Sequence, residues 1–166
     1  MKEILFMSEK KLYNKYSDYL KNKYGEKVYK LPINLPITCP NRVGANGCSF
    51  CAEKGTGFEA LSEQISVQEQ ILRTKELIHS KYKANKFIAY FQNYTNTFLP
   101  LEQFEMFIKE AAQIEDIVEI SISTRPDCIH TSYLDALLKI KQEYNVNIHI
   151  ELGLQTVNYH TLDRIN

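Results

Sequence analysis

No stretch of the 166-residue chain approaches the roughly 18–20 consecutive apolar residues that a bilayer-spanning helix needs. The apolar stretch between Met1 and Met7 is too short for a secretory signal. Net charge is also missing, since 20 Lys and Arg offset 20 Asp and Glu, so bulk charge argues neither for nor against a nucleic-acid partner. Cysteine is sparse, with four residues. These absences lead to the expectation of a cytoplasmic protein without a membrane partner, in which thiols stay reduced. Four cysteines in that setting point to a metal site or catalysis before disulfides. What remains, 44% apolar and 24% charged residues, suits one globular domain with a substantial core.

Hydrophobic spacing gives the element order. Residues 9–30 are rich in Lys and Tyr, and Leu12, Tyr16, Tyr19 and Leu20 fall at helical spacing. Lys30 to Ile37 reads as a first strand, interrupted by Pro32 and Pro36. Residues 38–62 form a loop of turn formers, Gly55 and Gly57 among them. Ser66 to Glu69 is a capping box opening a helix with Val67, Ile71 and Ile78 on one face. Phe87–Phe91 is a second strand. After Pro100, the residues Phe104, Phe107, Ile108, Ala111 and Ala112 mark a helix. Ile117–Ser123 is a third strand. A helix opens over Ser132–Asp135 with Leu134, Leu137 and Leu138 expected to face inward. Val146–Leu152 is a fourth strand, and a further helix begins near Asn158.

Strand followed by helix, four times over, predicts an α/β fold with a parallel sheet and right-handed crossovers. Four units are half of an eight-unit barrel. The pattern stops at Asn166 inside a helix without a stop signal, so the chain is expected to be the first part of a longer protein. Two regions are expected: a basic, aromatic helical segment over 1–26 and the first portion of a barrel over 27–166.

Side chains alternate across a strand. Ile120 and Ile122 therefore oppose Ser121 and Ser123, and Ile148, Ile150 and Leu152 oppose His149, Glu151, Gly153 and Gln155. Parallel strands buried on both faces normally read as unbroken apolar runs. One face here is polar toward the C-terminal strand ends, where such barrels bind ligands. Buried polar groups must find partners, and a polar ligand supplies them.

Cys39, Cys48 and Cys51 follow the first strand with spacing C-x8-C-x2-C. Structural zinc asks for four ligands, usually from two pairs, and no second pair is present. Three unrelated reduced thiols is the plainer reading, which their crowding in one loop disfavours. A three-thiolate iron–sulfur cluster fits best. Four thiolates saturate a [4Fe-4S] cluster. Three leave one iron open to chelate S-adenosylmethionine (SAM), with the protein supplying position and dryness.

Cys39-Pro-Asn-Arg, followed by Gly47-Cys48-Ser-Phe-Cys51 with an aromatic residue before the last cysteine, resembles the cluster loop of the radical SAM superfamily. Lys27-Val-Tyr-Lys-Leu-Pro-Ile, Tyr90-Phe-Gln-Asn-Tyr-Thr-Asn-Thr97, Ser123-Thr-Arg-Pro-Asp127 and Glu151-Leu-Gly-Leu-Gln155 are similar to the YhcC/YtqA-type subfamily, related to the catalytic subunit of Elongator. The resemblance covers about residues 25–166. It implies the first four units of a partial (β/α)6 TIM-like barrel and reductive SAM cleavage to a 5′-deoxyadenosyl radical. It also implies a low-potential electron donor such as flavodoxin or ferredoxin, and a tRNA substrate, notably a wobble uridine. A small-molecule substrate, or a non-catalytic metal- or RNA-binding module, are the alternatives.

The resemblance places Phe50 against the SAM adenine, the alternative being a loop anchor. The Gly-Gly-Glu motif that often grips the SAM amino group is absent. Gln92, Asn93, Thr95 and Asn96 stand there, with Gln92 and Asn96 as candidate SAM contacts. Ser123 suits a ribose or SAM's polar end, and Arg125 suits a carboxylate, unless it pairs with Asp127 or Glu151. Glu151 is a candidate for two ribose hydroxyls, against an ion pair with Arg125. Gln155 is a candidate SAM or substrate contact. Cys128 reads as a small buried hydrophobe rather than a hydrogen donor, and His149 as a satisfied interior residue. The first 30 residues hold eight Lys against four acids, interleaved with five Tyr, a pattern that binds RNA through phosphates and stacking or simply covers the barrel edge.

Overall fold

The computed structural model describes residues 12–52 and 59–165. Met1, Met7, Gly55, Gly57 and Asn166, named above, lie outside them. The chain is an α/β fold. Helix α1 (Tyr16–Tyr24) precedes β1 (Val28–Ile33), α2 (Val67–Tyr82), β2 (Lys86–Phe91), α3 (Leu101–Ala112), β3 (Ile117–Thr124), α4 (Thr131–Tyr144), β4 (Asn147–Leu152) and α5 (Tyr159–Ile165). The four strands are all parallel and pair in sequence order.

Helices α2, α3 and α4 form where the periodicity places them. Ser66 Oγ accepts the Glu69 N–H of α2 at 3.2 Å, while the Glu69 carboxylate turns to Arg73 at 2.5 Å. Asn145, in the left-handed region at φ 53°, ends α4. One sheet face packs on these helices: Leu31, Ile33, Phe87, Phe91, Ile120 and Ile122 meet Val67, Ile71, Phe104, Ile108, Leu137 and Ile140 in one core. Each large side chain removed from water there contributes about 1.5–3 kcal/mol.

Two expectations need correction. The first strand spans Val28–Ile33 rather than Lys30–Ile37. Its partner β2 ends at Phe91, opposite Ile33, so the ladder stops there. The Gln70 side chain then takes over the backbone of Asn34, accepting its N–H and donating to its carbonyl, both at 2.9 Å. In α4, Leu137 is buried as expected, but Leu134 and Leu138 are exposed, and Ala136 and Ile140 take the inner positions.

The opposite sheet face is polar, and α1 closes its N-terminal end. Lys23 Nζ and Tyr24 Oη both donate to Glu119 Oε2 at 2.7 Å. Glu119 is buried and its Oε1 has no hydrogen-bond partner; His149, half exposed, has Nδ1 3.8 Å away. Burial lowers the Lys23 pKa, but the bond to Glu119 outweighs it and holds the amine above the usual lysine range. Burial and the same carboxylate push Tyr24 up to about 12. Lys23→Ala is expected to lower the stability measured by urea unfolding by about 1–3 kcal/mol, since it strips a buried carboxylate of a donor. An unchanged midpoint would mean that water replaces the amine without loss.

Candidate metal centre

Strand order decides what meets at the C-terminal end of the sheet. The loops after β1, β2, β3 and β4 converge there around a cleft of about 590 Å³, within the usual range for small-molecule sites of about 300–1,000 Å³. Its lining includes Cys39, Cys48, Cys51 and Phe50 from the loop after β1, Gln92 after β2, Ser123 at the end of β3 with Arg125 after it, and Glu151 at the end of β4 with Gln155 after it. Of the residues singled out from the sequence, Asn96 is not in this lining. It is buried, and its amide donates to the carbonyls of Phe91, Asn93 and Ser123 at 2.9, 3.3 and 2.8 Å, tying β2 to β3.

The cysteine loop is held by short-range bonds. A single 3-10 turn over Pro40–Arg42 follows Cys39, and the Cys51 N–H returns to the Cys48 carbonyl at 3.0 Å. Gly47 has φ +83°, which favours glycine, and a Cβ there would press on the Arg42 side chain at 3.0 Å from Cγ. The Ile165 carbonyl at the C-terminal end of α5 accepts the Ser49 N–H at 2.8 Å, which fixes α5 beside the loop. Nothing in the sequence pattern announced that contact.

All four cysteines are free thiols. Among the described residues, no group of three or more His, Cys, Asp or Glu is arranged to hold a single metal ion. Burial, and next the neighbouring Cys48, raise the Cys51 thiol pKa, with Arg42 opposing and Cys39 adding to the rise. Asn41 Nδ2 donates to Cys48 Sγ at 2.9 Å. Arg125 Nη1 lies 4.0 Å from Cys39 Sγ and also donates to Asn41 Oδ1. The other edge of Arg125 forks onto Asp127, Nε to Oδ1 at 2.8 Å and Nη2 to Oδ2 at 2.7 Å. This fork pulls the Asp127 carboxyl below its usual range. Asn41 was not among the residues singled out, although it lies within the Cys-Pro-Asn-Arg stretch. Cys128 is half-buried outside the cleft lining, and burial raises its thiol pKa.

Glu151 does not pair with Arg125, which corrects one of the alternatives for it. Lys30 Nζ donates to its Oε1 at 2.9 Å and Tyr90 Oη to its Oε2 at 2.8 Å. Ser123 Oγ adds a bond at 3.0 Å and Ser121 Oγ one at 3.3 Å. Lys30 Nζ also sits 3.7 Å from the Tyr90 ring centroid. Burial pushes the Glu151 carboxyl up, but the bonds from Lys30 and Tyr90 outweigh it and hold the pKa below its ordinary 4.5. Tyr90 is pushed up to about 12 by burial and by Glu151. Gln155 adopts φ 64°, uncommon for a residue with a side chain.

A depressed carboxyl stabilises the fold above its unfolded pKa and loses that contribution as pH falls through the folded value. Glu151→Gln is expected to cost about 1 kcal/mol at neutral pH, because water still reaches the pair. The gap from wild type should close as pH falls below 4.5, the ordinary value. Urea unfolding at a series of pH values checks this, and a gap that stays constant down to acid pH would contradict it.

No family model matches the chain. The chain is 35% identical over 164 residues to YtqA of Bacillus subtilis (strain 168), covering 97% of this chain and 50% of that protein. It is 36% identical over 163 residues to YhcC of Escherichia coli (strain K12), covering 96% and 51%. It is 33% identical over 162 residues to MJ0486 of Methanocaldococcus jannaschii, covering 96% and 49%. YtqA and MJ0486 are described as uncharacterized. The chain spans about half the length of these relatives.

Proposed function

We propose that this chain is the cofactor-binding half of a radical SAM enzyme, in which Cys39, Cys48 and Cys51 hold a [4Fe-4S] cluster on the first units of a TIM-like barrel. The observation that carries the reading is the meeting, in one cleft, of three free thiols with polar side chains from the ends of all the other strands. The donor set suits the group. A mononuclear ion needs its ligands gathered around one point, whereas each thiolate of a cubane binds a different iron. Held by three thiolates, such a cluster would leave one iron for SAM and would pass on one electron from an external reductant, breaking the sulfonium C–S bond to give methionine and a 5′-deoxyadenosyl radical.

The remaining residues divide the binding work. Phe50, half exposed beside Cys51, offers a ring for the adenine. Glu151, oriented by Lys30 and Tyr90, places a carboxylate at the C-terminal end of β4. Gln92, Ser123 and Gln155 add neutral donors and acceptors from the ends of β2, β3 and β4. Anaerobic incubation of the iron-loaded protein with SAM and a chemical reductant tests the reading. Release of 5′-deoxyadenosine supports it, and intact SAM argues for a non-catalytic module.

For the substrate, a tRNA base is favoured by the surface of α1. Tyr13, Tyr16 and Tyr19 are exposed, with the last two stacked at 5.9 Å, and Lys15 and Lys21 are exposed beside them. Lys23 and Lys30 are spent on Glu119 and Glu151. Changing Lys15 and Lys21 to Gln is expected to flatten the salt dependence of tRNA binding by about 0.7–0.9 log–log units per lost phosphate contact. An unchanged slope would locate the RNA surface elsewhere, and no binding at low salt would favour a small-molecule substrate.

A further inference from the structure

Asn41 and Arg125 connect two of the three thiols to each other and to an acid. Asn41 donates an N–H to Cys48, and its carbonyl accepts from Arg125, which in turn stands beside Cys39 and is anchored by Asp127. The two ends of this chain differ in exposure. The Arg125 side chain is 27% exposed, and Asp127 is 61% exposed. Water therefore screens the acid more than it screens the guanidinium edge turned toward the sulfurs.

We propose that Asn41 and Arg125 are positioning residues that raise the reduction potential of the cluster, and that Asp127 opposes them. The inference rests on the cluster reading given above. One-electron reduction by an external low-potential carrier adds a negative charge that spreads onto the thiolate sulfurs. An N–H donor on Cys48 and a cation beside Cys39 stabilise that charge more in the reduced state than in the oxidised one. Hydrogen bonds to sulfur and local net charge are established levers on such potentials. The arrangement also links the loop after β1 to the loop after β3, so a change in the position of one alters the electron affinity set by the other.

The sign of each effect distinguishes tuning from simple support. Asn41→Asp keeps the acceptor for Arg125 but replaces the donor on Cys48 with a negative oxygen. Arg125→Gln removes the cation. Both should lower the reduced-to-oxidised ratio at a fixed solution potential about tenfold, equivalent to about 59 mV for one electron. Asp127→Asn removes the opposing charge and should shift the potential upward by a smaller amount. The experiment is an EPR-monitored redox titration of the reconstituted 166-residue chain without SAM, with iron counted in every sample. Unshifted potentials, or Asp127→Asn shifting the same way as the other two, would overturn the inference while leaving the cluster assignment intact. Loss of iron from the variants alone would also overturn it, because the three residues would then serve assembly. A wild-type protein that takes up no cluster would sink the cluster reading itself and this inference with it.

Discussion

Replacing Cys39, Cys48 or Cys51 by Ala, each alone, is expected to remove the broad iron–sulfur absorbance of the anaerobically reconstituted protein. Two thiolates leave two irons of a cubane open to solvent and exchange, whereas three leave only one. The loop itself should survive these changes. Its shape rests on the 3-10 turn at Pro40, on Gly47 and on the Ser49–Ile165 bond, none of which uses a thiol. Cys128→Ala should keep full absorbance, since that side chain is absent from the cleft lining. Iron content and the visible spectrum of the four variants check this. Retention by any one of the first three, or loss through Cys128, would contradict the ligand assignment.

The second large effect concerns SAM. Glu151→Ala is expected to weaken SAM binding to the iron-loaded protein by roughly 10- to 150-fold while leaving iron content unchanged. A lost hydrogen bond to a charged group is worth about 1.5–3 kcal/mol. The structure also offers a competing account, because Lys30, Tyr90, Ser121 and Ser123 already occupy the lone pairs of this carboxylate. If that ring is self-sufficient, Glu151→Ala lowers stability and leaves affinity alone. Calorimetry with SAM separates the two outcomes. Arg125 is less suited to the SAM carboxylate than its residue type suggested, since Asp127 and Asn41 engage all three of its nitrogens.

How much of this was legible beforehand follows from the range of each interaction. The second and third strands and α3 were legible because short apolar runs and an i, i+3, i+4 stripe encode them locally, and Phe87, Phe91, Phe104 and Ile108 are buried accordingly. The serine parity of β3 was legible for the same reason, and both serines reach Glu151. The end of β1 was not, because Gln70, 36 residues away, replaces the ladder at Asn34. Leu134 and Leu138 look as apolar as Leu137, but the buried stripe of α4 runs through Ala136, Leu137 and Ile140 and leaves them outside it.

At the site, the cysteine spacing announced the loop, but not the partners of its thiols. Asn41 meets Arg125 across 84 residues, which no local pattern records. The Lys30–Glu151 pair did leave a signal: Lys30 alternates with Tyr29 and Leu31, so the parity argument used for β3 and β4 extends to β1 and puts the amine on the polar face.

The central claim is that three thiols at the end of this four-stranded parallel sheet hold a four-iron cluster. Metal and sulfide counting on the anaerobically reconstituted wild-type chain tests it most directly. The account predicts about four irons and four sulfides per chain, with the reduced protein EPR-active. A single zinc per chain, or no bound metal after desalting, would contradict it.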